Sequence, residues 1–370
     1  MAIKKFTDIC DIQYGYPFDS SGFTTSADEG MPLIRIRDVK EGHTDTYYKG
    51  DFLPEYVIHK GDYLVGMDGE FNIAPWKSED ALLNQRVCKV TSKLPSVSNS
   101  YIYRFLKKEL KRIEDETPFV TVKHLSAKRF NQVYLDVPSL AEQQRIVAEL
   151  DLLSGILDKQ RAQLKELDIL AQSIFFDMFG GILEAPPSTT LKNVAIYLIG
   201  LTYKPTDVAD SGTIVLRSSN IQDNQLAFND VVRVKTQVDK KKIVADGDIL
   251  MCARNGSARL VGKVARIQNL TEEMSFGAFM TIIRSQYNDF LFHYFLSPYF
   301  RSQLTTSKTA TINQITAKML DGIKLNVPTL EQQCSFAAKI EGIEHQKDLI
   351  NQSIVETQKL FDYTMDKYFG

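Results

Sequence analysis

Cysteine and histidine are scarce in this chain, and their spacing excludes several kinds of site. The 370 residues include four cysteines, which form no C-x-x-C pair and stand at positions 10, 88, 252 and 334. Isolated thiols are typical of a reducing compartment, so a disulfide framework is not expected. The five histidines show no H-E-x-x-H or other metal-ligand spacing. We therefore expect no metal site in this chain.

Long apolar runs and the common catalytic signatures are also missing. No stretch of eighteen apolar residues occurs, so we expect no transmembrane helix and no membrane partner. The N-terminus lacks the apolar segment of a signal peptide, which predicts a cytoplasmic protein. Neither the G-x-x-x-x-G-K-[ST] phosphate loop nor the G-x-G-x-x-G dinucleotide turn is present. These absences predict a chain that is not itself an enzyme and binds no cofactor.

The net charge of -2 hides an uneven distribution of charged residues. Residues 181–328 hold 17 basic and 12 acidic side chains, whereas residues 1–138 hold 19 and 20. The stretches 139–180 and 329–370 hold 4 basic and 7 acidic side chains each. A locally basic surface is compatible with these numbers, so a nucleic-acid partner is not excluded.

An internal duplication with a spacing of 190 residues is the strongest pattern in the chain. Residues 120–130, VTVKHLSAKRF, recur as residues 310–320, ATINQITAKML, and the match continues through LDVPSL and LNVPTL. Each copy then has a Glu-Gln-Gln triplet, displaced by one residue between the copies, and ends in Phe-Gly. The duplication predicts two copies of one unit, each a variable domain followed by a better-preserved tail.

Each tail predicts one long helix with a heptad seam. Apolar residues in both tails are spaced alternately four and three positions apart, which is the heptad pattern of helices that pack together along one apolar face. Gln160, Lys347 and Thr357 interrupt the stripe and either set the register or face a partner protein. The partner-helix seam consists of Leu150, Leu153, Leu157, Leu164 and Leu167 in the first copy and Ile340, Ile343, Ile350, Ile354 and Phe361 in the second.

Connectivity predicts that the two helices run antiparallel. The middle domain starts where the first helix ends and finishes where the second begins, so those two ends must be close. Pro138 and Pro328 precede the helices, and the pairs Gly180-Gly181 and Pro186-Pro187 are expected to end the first one. The seam spans on the order of 50 Å at ~1.5 Å per residue, which is typical of a spacer. The alternative is that each helix only completes the core of its own domain.

The variable domains predict mixed α/β folds that are rich in strands. Short β-branched or aromatic runs alternate with turn residues in both copies. Helices are predicted at residues 98–111 and 289–304. The predicted strands cover residues 33–37, 62–66 and 86–90 in the first copy and 214–217, 248–253 and 261–267 in the second.

Polar residues that suit DNA binding cluster after these strands, at matching places in the two copies. Arg, Asn, Gln and Lys read base edges, while Ser, Thr and Lys commonly hold phosphates. Thr121 and Thr311 belong to the same loops. Any single member could equally be an ordinary solvated loop residue, and the recurrence supports the set. The candidate DNA-binding residues are Arg35, Arg37, Lys40, Asp68, Lys123 and His124 in the first copy and Arg217, Ser219, Asn220, Arg254, Asn255, Ser257 and Arg259 in the second.

The layout of variable domain, Glu-Gln-Gln segment and long helix, present twice, closely resembles the specificity subunits of Type I restriction-modification systems. The segments VPSLAEQQRI, at 137–146, and VPTLEQQ, at 327–333, are similar to that family's conserved regions. The Gly-Asp pairs at 61–62 and 247–248 and the LNQRV segment at 83–87 are similar to its target-recognition domains. The resemblance covers essentially the whole chain. One departure is a cysteine at 334 where the first copy has glutamine, which leaves the start of the second helix open.

The resemblance implies an α+β protein, with two mixed α/β target-recognition domains separated by two long antiparallel coiled-coil helices and an internal two-fold repeat. The implied target-recognition domains are residues 1–138 and 181–328, and the helical spacers are residues 139–180 and 329–370. Each domain would read half of a split double-stranded DNA site, and the helices would dock two methyltransferase subunits. S-adenosylmethionine, ATP and magnesium would then be bound by the methyltransferase and restriction subunits, not by this chain.

Two other functions are compatible with the sequence. The chain could be a coiled-coil assembly scaffold that does not read DNA, or the recognition part of a DNA methyltransferase. No Asn-Pro-Pro-Tyr-like motif of the amino-methyltransferases occurs, which counts against the second alternative. The scaffold alternative predicts that Arg217→Ala and Arg254→Ala leave the DNA affinity of the complex unchanged.

Overall fold

The computed structural model describes residues 2–117, 123–305 and 313–370 of the chain. It divides into two compact units: unit 1 comprises Met1–Arg161 and Asn351–Gly370, and unit 2 comprises Ala162–Ile350. Both unit boundaries fall inside long helices, so each unit contains a globular part and a segment of each long helix. The division into two recognition domains and two helical spacers, drawn from the sequence, stays a prediction.

Unit 1 is built from short strands and one mid-length helix, followed by the first long helix. Its helices are α1 (Phe6–Ile9), α2 (Asp38–Glu41), α3 (Asn99–Glu116), α4 (Ala127–Phe130) and α5 (Leu140–Glu184), of which α5 continues into unit 2. Its strands are β1 (Ala2–Lys5), β2 (Cys10–Tyr14), β3 (Phe23–Thr24), β4 (Met31–Ile34), β5 (Tyr47–Tyr48), β6 (Val57–Ile58), β7 (Tyr63–Gly66), β8 (Asn72–Pro75), β9 (Ala81–Leu83), β10 (Val87–Ser92) and β11 (Tyr134–Val137).

Two sheets carry the strands that lead into the candidate site of unit 1. One has the order β2-β10-β7-β8, and the other has the order β3-β5-β4-β9-β6, with β4 and β9 parallel. Apolar residues of α3 recur every three or four positions, as expected of a helix that covers a sheet. Tyr101, Phe105 and Leu106 of that face are buried in one core with Val65 of β7 and Cys88 of β10. This packing positions the residues that follow β7.

Unit 2 has a similar order of elements, with the additional hairpin β16–β17 in place of α2. Its helices are α6 (Leu191–Val194), α7 (Asn288–Leu296), α8 (Pro298–Thr305), α9 (Ala317–Asp321) and α10 (Leu330–Phe369), of which α10 continues into unit 1. Its strands are β12 (Thr189–Thr190), β13 (Ile196–Ile199), β14 (Val208–Ala209), β15 (Thr213–Leu216), β16 (Ile221–Gln222), β17 (Gln225–Leu226), β18 (Arg233–Val234), β19 (Ile249–Cys252), β20 (Val264–Arg266), β21 (Met274–Phe276), β22 (Met280–Arg284) and β23 (Lys324–Leu325).

The strand pairing of unit 2 repeats that of unit 1. The sheet β13-β22-β19-β20 matches β2-β10-β7-β8, and the pair β12-β23 matches β1-β11. In the remaining large sheet, β14-β18-β15-β21, the strands β15 and β21 are parallel, as β4 and β9 are. The internal two-fold repeat predicted from the sequence is therefore present in the fold.

Both long helices begin at equivalent residues, which settles the question left by the displaced Glu-Gln-Gln triplets. Helix α5 starts at Leu140 and α10 at Leu330, 190 residues later. Gln143 and Gln333 each donate a hydrogen bond from Nε2 to the carbonyl oxygen of the proline five residues earlier, at 2.9 and 3.0 Å. The ungapped alignment is therefore the structural one, and Cys334 occupies the place of the second glutamine in the first triplet.

In unit 1 the two helix segments run antiparallel. Gln160 Nε2 donates to Ser353 Oγ at 2.8 Å, while Arg145 Nη2 donates to Tyr368 Oη at 2.9 Å. Moving back along α5 from Gln160 to Arg145 therefore corresponds to moving forward along α10 from Ser353 to Tyr368.

The helix segments of unit 2 show the same antiparallel order. Lys347 Nζ lies 2.6 Å from a carboxylate oxygen of Asp168, and the rings of Phe175 and Phe336 are 5.9 Å apart. The predicted seam residues in both helices are buried or half-buried. Towards the end of α5 the fully buried positions are Phe175 and Phe179, because the helix there packs into the core of unit 2.

Helix α5 continues through Gly180 and Gly181 and ends at Glu184, just before the Pro186-Pro187 pair, so of the two predicted stop signals the glycines do not end it. A glycine weakens a helix by about 1 kcal/mol without stopping it. Asn326 caps this end, because its Nδ2 donates to Ile182 O in the last turn at 3.0 Å and to the carbonyl oxygens of Ala185 and Pro186 just after the helix. The prolines that follow then exclude further helix.

The helix predicted at residues 289–304 is two helices, α7 and α8. Pro298 forces the residue before it out of the helical region, and Ser297 is accordingly extended, with ψ at 156°. The predicted fold class, mixed α/β domains with two long antiparallel helices and an internal repeat, is confirmed. No helix in the described ranges is long and apolar enough to cross a membrane.

Candidate nucleic-acid interface

The same turn geometry places the strands that carry the candidate loops in both units. Gly61 and Gly247 adopt φ values of 94° and 90°, which glycine reaches without a steric penalty. The aspartate that follows accepts a backbone hydrogen bond in each turn: His59 N donates to Asp62, and Ala245 N donates to Asp248. β7 and β19 start directly after these turns, so the loops after them leave each sheet at equivalent points.

Three predicted loops meet at one place in unit 2. They are residues 217–220 after β15, residues 253–259 after β19 and residues 313–314, and we call them the loop cluster of unit 2. Asn255 joins all three, because its Nδ2 donates to Ser218 Oγ at 3.1 Å and its backbone N–H donates to Asn313 O at 3.4 Å. The structure therefore brings together residues that are up to 97 positions apart in the chain.

The loop cluster of unit 2 presents hydrogen-bond donors to solvent. Arg254, Ser257 and Arg259 are exposed, and Asn255 is half-buried. Arg217 is half-buried, and its Nη2 donates to Asp230 at 2.7 Å. These guanidinium and amide groups are the types that bind base edges and phosphates.

Asn220 and Ser219 were predicted to contact DNA, but the structure turns both inward. Asn220 is 1% exposed; its Oδ1 accepts from Arg217 N at 2.8 Å and its Nδ2 donates to Ala227 O at 2.8 Å. The hydroxyl oxygen of Ser219 is buried as well. In this arrangement Asn220 shapes the turn after β15, and neither side chain is available to a ligand.

The equivalent loops of unit 1 also meet. Residues 35–40, 67–72 and 123–124 form the loop cluster of unit 1. Met67 O accepts from Leu125 N at 2.7 Å, and Gly69 N donates to Lys123 O at 2.9 Å. Lys40 Nζ lies 2.6 Å from a carboxylate oxygen of Glu70, which links the first loop to the second. Thr121 and Thr311 lie outside the described residues.

Asp68 is at the centre of the loop cluster of unit 1. Its Oδ2 accepts from Arg86 Nη1 at 2.6 Å, and its Oδ1 lies 2.5 Å from His124 Nδ1. Arg35, Arg37, Lys40 and His124 are exposed, as predicted for residues that meet a ligand. Lys123 instead donates to Glu114 O at the end of α3. Its ammonium group therefore ties the loop to the helix.

One further position in each unit was missed by the sequence analysis. The carbonyl oxygen of Arg86 accepts from Met67 N, and that of Phe279 accepts from Ala253 N, so the two residues are structural equivalents. Arg86 is in the LNQRV segment that supported the family resemblance, but it was not assigned to the site. Phe279 is 60% exposed and lies against Arg254, whose Cζ is 5.4 Å from its ring centroid. The two segments share no sequence signal that marks them as a pair.

Comparisons with known proteins show which proteins this chain resembles. A sequence model of the family described as "Type I restriction modification DNA specificity domain" matches residues 1–167 and 189–359. The specificity subunit of the Type I restriction enzyme EcoBI from Escherichia coli is 29% identical over 385 residues, covering 94% of this chain and 80% of its own length. The EcoKI specificity subunit from Escherichia coli (strain K12) is 31% identical over 173 residues, 44% of this chain and 36% of its own.

A solved structure has the same overall fold. It comes from work described as the structural basis of complex assembly and conformational transition of the type I R-M system. It covers 100% of this chain and 97% of its own, with a TM-score of 0.50 and 15% identity.

Proposed function

The chain belongs to the family of Type I restriction-modification DNA specificity subunits, and from this premise we propose that each unit reads one half of a split double-stranded DNA target through its loop cluster. The observation that carries the proposal is the convergence of three polar loops, distant in sequence, at one place in each unit. Exposed arginines at such a place suit both phosphates and guanine edges.

The two loop clusters differ in chemistry, so the two half-sites should differ in sequence. The first cluster contains carboxylates that hold cations, such as Asp68 with Arg86 and Glu70 with Lys40. The second presents Arg254 and Arg259, and its domain carries the basic excess. We expect the second domain to contribute more of the salt-dependent affinity for DNA.

The long helices are proposed to dock two methyltransferase subunits and to set the gap between the half-sites. Apolar side chains on the outer faces of both helices support this role, since exposed apolar surface of this kind favours a protein partner. They include Leu152, Ile156, Leu170, Leu349, Val355, Leu360 and Tyr363.

Catalysis, in this proposal, belongs to the partner subunits. The methyltransferase subunits would bind S-adenosylmethionine, and restriction subunits would bind ATP and magnesium, so this chain contributes recognition and not chemistry. The proposed place of action is the cytoplasm, where the DNA of the cell would be accessible. Purified chain should transfer no methyl group from S-adenosylmethionine without its partners. Transfer by the chain alone would favour the methyltransferase alternative.

DNA binding by the complex of this chain with its methyltransferase subunits tests the proposal. Arg254→Ala should weaken binding to the cognate duplex about tenfold, since a specific side-chain contact is worth about 1–3 kcal/mol. Arg233→Ala is the matched control, because Arg233 of β18 is paired with Glu272 and bonds Gly212 O before the start of β15, whereas the loop of the cluster follows the end of β15. If Arg254→Ala and Arg217→Ala both bind like the control, the scaffold alternative is favoured over DNA reading.

A further inference from the structure

The equivalent residues Arg86 and Phe279 stand at the same point of two matching turns. Each turn joins the strand of the parallel pair, β9 or β21, to the long strand β10 or β22 that follows it. The bridge between Asp68 and His124 in unit 1 has its counterpart between Arg254 and Gln314 in unit 2. The backbone framework is thus shared, and only the side chains on it differ.

In unit 1 this framework holds a guanidinium group in a fixed position. The Asp68 side chain is only 18% exposed and lies between Arg86 and His124, whereas the Arg86 side chain is 56% exposed. A carboxylate that binds one edge of a guanidinium orients the remaining N–H groups outward. Donors held in this way suit an acceptor pair such as O6 and N7 of guanine.

In unit 2 the same framework presents an aromatic ring. Phe279 is exposed at the tip of its turn, so its ring is accessible to a ligand. Arg254, which replaces the aspartate of unit 1, has its Cζ 5.4 Å from the ring centroid, and Phe279 stays 60% exposed beside it. A phenylalanine at a DNA-facing loop suits the C5-methyl group of thymine.

We propose that Arg86 and Phe279 determine one base pair in each half-site, Arg86 by binding a guanine edge and Phe279 by contacting a thymine methyl group, with Asp68 as the positioning residue for Arg86. This inference rests on the proposed function, because it requires that the loop clusters face DNA. It adds the chemistry by which two equivalent turns read different bases.

Base analogues test the assignment in unit 1. Each guanine of the first half-site is replaced in turn by 7-deazaguanine, which lacks the N7 acceptor, and the affinity of the assembled complex is measured. One replacement should lower the DNA affinity of the wild-type complex about tenfold and that of the Arg86→Ala complex less than about twofold. Arg112→Ala is the control, since this exposed arginine is paired with carboxylates on α3. If every analogue weakens Arg86→Ala as much as wild type, Arg86 reads no guanine.

The Asp68→Asn variant tests whether Asp68 positions the Arg86 guanidinium for DNA or only stabilises the fold. The amide keeps the shape of the side chain and loses the charge that holds the guanidinium. We expect the preference for that guanine to fall several-fold while the melting temperature and the affinity for unrelated DNA do not fall. A drop in melting temperature with equal loss for all sequences would assign Asp68 a purely structural role.

Deoxyuridine tests the assignment in unit 2, because it lacks only the methyl group of thymine. One thymine-to-deoxyuridine replacement should lower the DNA affinity of the wild-type complex about fourfold, as expected for one buried methyl group. The same replacement should have no effect on the Phe279→Ala complex. Ile196→Ala is the control, since this exposed residue pairs with Arg284 at the other end of β22.

The outcomes distinguish this inference from the proposed function. A complex with no sequence preference at all contradicts the proposed function itself. A complex that prefers a bipartite sequence, but in which no analogue effect is lost in Arg86→Ala or Phe279→Ala, leaves DNA reading intact and overturns the inference.

Discussion

A buried histidine makes the stability of unit 2 sensitive to acid. His293 on α7 is 3% exposed, and its ring lies 5.9 Å from Phe175 and 5.1 Å from Phe336. Its Nδ1 is 3.2 Å from Gln172 Nε2. Burial, with smaller contributions from the nearby cations Arg266 and Lys347, lowers the pKa of His293 from 6.5 to about 3.

The direction of the effect follows from the two pKa values. The unfolded chain binds a proton at this histidine below about pH 6.5, whereas the folded chain does not bind it until about pH 3. The stability that depends on a neutral ring is therefore fully present above pH 6.5 and is lost as the pH falls towards 3. At 1.36 kcal/mol per pH unit, the loss between pH 7 and pH 5 is about 2 kcal/mol.

Hydrogen exchange measured by mass spectrometry on the α7 peptide follows this loss directly. The free energy of opening of α7 is compared at pH 7 and pH 5 in the wild type and in His293→Phe, which keeps an aromatic ring and cannot be protonated. The wild type should lose about 2 kcal/mol more than the variant over this interval. Equal pH dependence in the two proteins would refute the reasoning, because other titrating groups are common to both.

Three further results are expected. Gln143→Ala should lower the free energy of unfolding, measured by thermal denaturation, by about 2–4 kcal/mol, because the buried amide of Gln143 accepts from Ser98 N and donates to Ser96 O and Pro138 O. Gln144 is exposed, so Gln144→Ala should change this free energy little. In denaturant unfolding, Lys347→Met should leave the free energy of unfolding nearly unchanged, whereas Asp168→Ala should lower it by about 1–2 kcal/mol, because the buried ammonium of Lys347 then keeps only Glu344 as a partner. A larger loss of stability in Lys347→Met than in Asp168→Ala would contradict this expectation. A thiol reagent should label one cysteine of the native chain, the exposed Cys334, and label all four after denaturation, with peptide mapping as the check.

The periodic and repeated parts of the fold could be predicted because their signals are local. The heptad seam follows from side-chain spacing along one helix, and the 190-residue repeat follows from direct comparison of the two tails. The Gly-Asp turns at Gly61 and Gly247 recur because a positive φ at that point favours glycine.

The parts that could not be predicted depend on contacts between distant residues. The parallel pairing of β4 with β9 joins residues about fifty positions apart through strands of three or four residues, too short to show a period. The burial of Asn220 depends on carbonyl groups at Ala227 and Asp230, which its own neighbourhood in the sequence does not reveal. The pairing of Arg86 with Asp68 likewise appears only once the two turns are brought together.

Genome-wide mapping of methylated adenine tests the central claim most directly. Cells would carry this chain together with its methyltransferase subunit, with the chain deleted, or with Arg254→Ala. The proposed function predicts a two-part motif with a fixed gap, lost on deletion and altered in one half only by the substitution. A motif that persists without this chain, or no two-part motif despite an active methyltransferase, would contradict it.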